Sequence, residues 1–182
     1  SIIVTTNISQ VRNKGIDVIQ TYTFKGELPE LPRLGMSVTL PRTYEQLQWY
    51  GRGPYDNYPD RKTSCPIGLW HSTVTAQYTH YPRPQDCGNH EDCSMVCLKT
   101  GKGNTLHVTA VESPFSFSAM HYSTRAIASA THDCDLKESD YTVLNIDAAV
   151  MGLGNSSCGP GVLKKYSIDE NKKYSLHIFV SF

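Results

Sequence analysis

Cys87, His90, Cys93 and Cys97 fall close together in "CGNHEDCSMVC", and four such side chains at these intervals are a candidate zinc set. The competing reading is structural. Cys93, Met95 and Cys97 stand at period two, which predicts one face of a strand beginning near Cys93, with the thiols about 7 Å apart at about 3.3 Å per residue. A tetrahedral ion takes both only if the chain bends, so no metal ligand is assigned. Six cysteines occur in all (Cys65, Cys87, Cys93, Cys97, Cys134 and Cys158), an even number without the density of a disulfide framework. Most are read as reduced, small apolar residues. The other histidines, His71, His80, His107, His121, His132 and His177, form no local triad signature with a serine or cysteine. No phosphate-binding glycine loop is present. Paired carboxylates for glycosidic chemistry act across a site built by the whole fold and cannot be read from spacing.

A second stretch, "WYGRGPYDNYPDRK" (Trp49 to Lys62), gathers a tryptophan, three tyrosines, two glycines, two prolines and five charged residues. Gly51 and Gly53 are expected to permit tight turns, and Pro54 and Pro59 to stiffen the path. Arg52 and Arg61 can make charge-assisted hydrogen bonds to acidic partners. Tyr50, Tyr55 and Tyr58 supply broad, half-polar contact surfaces.

The elements that must position these residues are β-strands. "IDVIQTYTF" places Ile16, Val18, Gln20, Tyr22 and Phe24 on one face. "LGMSVTL" does the same with Leu34, Met36, Val38 and Leu40. "TLHVTAV" groups Leu106, Val108 and Ala110, and "FSFSAMHY" groups Phe115, Phe117 and Ala119. "YSLHIFVSF" alternates from Tyr174 to Phe182, and the opening "SIIVTT" also reads as a strand. Period two over so many segments predicts an all-β, mainly antiparallel sandwich. One short helix is expected near 124–131, capped by Ser123, with Ile127 and Ala130 on one side. Long irregular segments are expected at 51–61 and 81–92, where function or docking tends to sit.

At 182 residues the chain suits one domain, 1–182. Seventeen basic and 17 acidic residues balance, which argues against a generic nucleic-acid or anionic-membrane surface. No apolar run approaches a membrane span. The compartment, cytoplasmic or periplasmic, is left open.

The tracts "LPRLGMSVTLP", "WYGRGPYDNYPDRK", "YPRPQDCGNHED", "FSFSAMHYS", "LNIDAAVMGLG" and "CGPGV" occur in this order. Together they resemble the C-terminal domain of the large bacterial β-galactosidases of glycoside hydrolase family 2, over nearly the whole chain. The resemblance implies a galactose mutarotase-like supersandwich of two large antiparallel sheets. It implies a domain that begins upstream of Ser1, so that opening strands are missing and open sheet edges invite self-association. It places catalysis, by a glutamate nucleophile and a glutamate acid/base with magnesium and sodium nearby, in a barrel domain absent from this sequence. No catalytic residue, metal ligand or cofactor is therefore carried onto this chain; its partners would be that barrel and, through the parent enzyme, a galactoside.

One substrate-proximal position does map. Family members with "SWSP" near the C-terminus present the tryptophan to the active-site mouth, and alignment on Pro160 puts Cys158 there, in a loop one residue shorter. Cysteine has no ring face to stack on a sugar. The chain also departs from the family's Arg-Pro-Gln-Glu-Asn-Gly-Asn-Arg at Asp86, Cys87 and His90. For Trp49, Tyr50, Arg52, Tyr55, Tyr58 and Arg61, docking of this domain onto another is the reading taken, with a sugar-stacking platform as its rival. At the level of whole function, the alternative to an enzyme's accessory domain is a stand-alone carbohydrate-binding or mutarotase-like module.

Overall fold

The computed structural model describes residues 1–182 except Asn13, Ser156 and Ser157. Among the described residues, eleven strands, β1 (Ile2–Val11), β2 (Gly15–Phe24), β3 (Arg33–Pro41), β4 (Tyr44–Arg52), β5 (Ile67–Thr73), β6 (His90–Cys93), β7 (Met95–Thr100), β8 (Thr105–Ala110), β9 (Phe115–Met120), β10 (Tyr141–Val150) and β11 (Tyr174–Ser181), accompany one α-helix, α1 (Thr124–Ser129). A seven-stranded sheet has the order β1-β2-β11-β8-β7-β4-β5, and a four-stranded sheet the order β3-β10-β9-β6. The pairings are antiparallel in both sheets. The molecule is an all-β sandwich, as its alternating segments predict. Among the described residues no helix is long and apolar enough to cross a membrane.

Burial explains which segments form and which face goes inward. In β2, Val18, Gln20 and Tyr22 are buried while Thr21 and Thr23 face water. Leu106 and Val108 of β8, and Leu176 and Ile178 of β11, repeat the pattern. These side chains meet Phe115, Phe117 and Ala119 of β9, and Leu144 and Ile146 of β10, in one core between the sheets. β9 and most of β10 are buried on both faces. Their second face is covered by the segments at 53–66, 77–89 and 121–139, and a smaller cluster of Tyr78, Cys87, Met120, Tyr122 and Ile127 lies there. Helix α1 starts as expected: the Ser123 hydroxyl accepts from the Ala126 amide at 3.1 Å, and Ile127 is the residue it buries.

The predicted strand through Cys93 and Cys97 is two strands. The chain leaves the small sheet at Cys93 and joins the large sheet at Met95. Asp92, at φ 55°, takes the left-handed conformation needed for the crossing.

Candidate functional site

The four residues of the zinc-like stretch separate in space. Cys87 sits in the smaller cluster under α1, where burial pushes its thiol up to about 11. His90 lies between the rings of Trp49 and Phe117, at centroid distances of 4.3 and 5.2 Å. Its Nδ1 is 3.2 Å from the Arg52 carbonyl and its Nε2 2.7 Å from Gln77 Oε1. Burial lowers its pKa to about 4, so the ring is neutral. Cys93 belongs to the main core, and burial pushes its thiol far up. Cys97 is on the other sheet, beside His107 at 3.6 Å. Among the described residues no group of three or more His, Cys, Asp and Glu side chains gathers where it could hold a metal ion. All six cysteines are unpaired; Cys134 and Cys158 are exposed.

The structure divides the aromatic tract into an inner and an outer set. Trp49, Tyr50 and Arg52 are on β4 rather than in a loop. Trp49 is 1% exposed and donates its Nε1 hydrogen to the Arg52 carbonyl at 2.9 Å. Tyr58 is 0% exposed; its hydroxyl donates to Asp86 Oδ1 at 2.6 Å, and burial raises its pKa strongly. Arg61 lies over its ring at 5.5 Å. Arg52 and Lys62 both hold the Asp92 carboxylate, at 2.5 and 3.0 Å. Asn57 is stapled to the segment before β6: its amide donates to the Asn89 carbonyl at 2.7 Å and its Oδ1 accepts from the Glu91 amide at 2.8 Å. Tyr50 (48% exposed) and Tyr55 (73% exposed) face outward, as does Arg61. Gly51 and Gly53 serve close approach rather than a turn, because a Cβ at either would run into Cys93 or the Trp70 indole.

Tyr58 and Asp86 bring this tract onto the outer face of the small sheet. Arg33, on the first residue of β3, reaches Asp86 at 2.7 Å and Asp147 of β10 at 3.3 Å. Asp147 is 2% exposed. Burial outweighs the attraction of an arginine shared with Asp86, and its pKa rises to about 7. A register shift in β10 between Asp147 and Ala149 marks a bulge beside this carboxylate. Past β10 the chain meets the tract again. Asp60 accepts the amides of Leu153 at 3.1 Å and Gly154 at 2.8 Å. The following loop closes on itself, with the Asn155 amide donating to the Pro160 carbonyl at 2.9 Å and the Cys158 amide to the Asn155 carbonyl at 3.0 Å. Ser156 and Ser157 of that loop lie outside the described residues.

Thus the aromatic tract and the Cys158 loop, treated as separate features in the sequence, share one end of the sandwich. Arg33, Asp60 and Asp147 were not singled out there, and Asp86 only as a departure from the family tract. Each lies inside a tract that carries the family resemblance, but their partners stand as many as 114 residues away.

The molecule is a two-sheet β sandwich whose irregular segments converge where β10 ends. The profile of the beta galactosidase small chain matches residues 3–180. The beta-galactosidase of Staphylococcus xylosus is 34% identical over 173 residues, 94% of this chain and 16% of that protein. That of Streptococcus thermophilus is 31% identical over 173 residues, 94% of this chain and 17% of the relative. The Kluyveromyces lactis beta-galactosidase is 35% identical over 140 residues, 77% of this chain and 13% of the relative. The chain belongs to the beta-galactosidase small-chain family, and it spans 13–17% of the length of these three relatives.

Proposed function

We propose that this domain works within a larger β-galactosidase that hydrolyses terminal β-D-galactosides such as lactose. The supporting observation is the family match from residue 3 to residue 180, with relatives named beta-galactosidase that are several times longer. The catalytic glutamates, and the magnesium and sodium ions that serve them, belong to a barrel outside this chain. The domain supports that barrel and borders its active site. Tyr50, Tyr55 and Arg61 dock it, because they are the members of the aromatic tract that face outward. Trp49, Arg52 and Tyr58 act one step behind, by fixing the surface on which the outer set is displayed. The loop bearing Cys158 reaches the active-site mouth, anchored at its base by Asp60, and leaves the second sugar without an aromatic platform.

The test is activity with and without the rest of the enzyme. This chain alone should not hydrolyse nitrophenyl galactoside. Turnover by it alone that survives purification, and disappears on mutating one of its residues, would overturn the assignment. In the whole enzyme, Cys158→Ala should change kcat/KM for lactose by much less than about tenfold, the equivalent of about 1.4 kcal/mol. Cys158→Trp should alter lactose affinity or transfer to sugar acceptors while leaving nitrophenyl galactoside cleavage nearly unchanged. If neither substitution moves an acceptor-dependent step, the loop does not reach the site.

A further inference from the structure

The outer face of the small sheet is unusual for a sandwich. It is polar, yet much of it is withdrawn from water. Strand register puts Asn145 directly between Ser118 of β9 and Ser37 of β3, and Asp147 between Ser116 and Gly35. Ser118 and Ser116 are buried, and Asn145 is only 6% exposed. A Cβ at position 35 would collide with the Asp147 carboxylate, so the glycine leaves that side chain its place. Two cavities open over this face, one of about 440 Å³ and one of about 110 Å³. Arg33, Thr124 and Asn145 line both, so the two are lobes of one cleft between α1 and the sheet. The larger lobe lies within the roughly 300–1,000 Å³ of small-molecule sites.

The chemistry of the lining narrows the ligand. Asn145 donates its amide hydrogen to Ser118 Oγ at 3.0 Å, leaving its carbonyl oxygen for another donor. Asp86 and Asp147 are acceptors fixed by Arg33, and Ser37 and Thr124 add hydroxyls. Arg33 is engaged by Asp86 and Asp147, so it presents no free cation to an anion, and Arg125 is the one further charged side chain among the described residues of the lining. Met120 and Ile127 in the small lobe, and Val143 in the large one, add apolar surface. Planar acceptors, a planar donor, short hydroxyls and small apolar patches suit a neutral ring bearing several hydroxyl groups. The geometry points to a saccharide-binding cleft on the outer face of the small sheet, built on Arg33, Asn145 and Asp147 and taking a single hexose ring. It needs no residue of the catalytic barrel, so it stands or falls separately from the role proposed for the whole domain.

The 182-residue chain titrated with D-galactose, followed by amide chemical shifts and calorimetry, tests this directly. Saturable binding should perturb the Asn145 and Ser118 amides. Ser37→Trp fills the cleft from an exposed position on β3 and should weaken binding at least about tenfold, as should Asn145→Leu. If Asn145→Leu does not fold, Ser37→Trp alone decides. Absence of saturable binding to the parent chain, or binding undiminished in a folded Ser37→Trp variant, would overturn the proposal. Neither result depends on hydrolysis, so neither bears on the enzyme's activity.

Discussion

The Asp60 carboxylate holds the Gly154 amide at 2.8 Å and the neighbouring Leu153 amide at 3.1 Å, and through these two bonds an aromatic tract early in the chain fixes the base of a loop near its end. Hydrogen bonds to a charged acceptor contribute about 1.5–3 kcal/mol. Asp60→Ala should therefore lower stability by about that amount in urea titration, with faster hydrogen exchange at Leu153 and Gly154. Unchanged exchange at both amides would show that the loop holds itself in place.

Two buried groups titrate in opposite senses. Folding lowers the pKa of His90 from 6.5 to about 4, so the unfolded chain binds more protons and acidification through this window costs stability. Asp147 is raised from 3.8 to about 7. There the folded chain holds the extra proton, and its contribution is full below about pH 4 and lost as pH rises to about 7. The two slopes offset each other in the wild-type chain. His90→Gln should leave a protein that loses stability from pH 4 to pH 7, and Asp147→Asn one that gains it. Urea midpoints across that range would show the divergence; parallel profiles would mean that neither shift is present.

Trp49 and Tyr50 are adjacent on β4 but point to opposite faces, so their substitutions should differ sharply. Trp49→Ala should cost about 3–5 kcal/mol through loss of core packing. Tyr50→Ser should stay within about 0.5 kcal/mol in the isolated domain. Its effect should appear instead as weaker association with the rest of the enzyme supplied as a separate fragment. Equal destabilisation by the two changes would exclude a docking role for Tyr50.

The purified chain should carry no stoichiometric zinc. Cys93 and Cys97 stand on different sheets, and both His90 nitrogens have partners. Elemental analysis giving one zinc per chain, together with unfolding on chelation, would contradict this.

What the sequence displayed was periodicity. β2, β8 and β11 bury one face and bare the other, so alternation announced them, and Ser123 announced α1. β10 alternates only briefly, Leu144 and Ile146 against Asn145 and Asp147, before the apolar run Ala148 to Val150, and its polar face is as buried as its apolar one, so alternation there does not mark a solvent side. The start of the aromatic tract was read as loop for a related reason. Gly51 and Gly53 resemble turn residues until the Cys93 and Trp70 side chains are seen pressed against them. The cluster of Arg33, Asp86 and Asp147 was out of reach, since spacing along a chain says nothing about carboxylates brought together by sheet register.

The position of β11 has a consequence for how the domain is made. In the large sheet it lies between β2 and β8, so the β1–β2 hairpin joins the other strands only through it. A ribosome delivers β11 after every other strand. Until then the hairpin lacks this partner through synthesis of some 150 residues, and Ile3, Val4 and Ile8 stay exposed in the folded domain. Long-range pairing of this kind is slow and exposed to aggregation. Within this chain β11 thus acts as the closing zip of the large sheet.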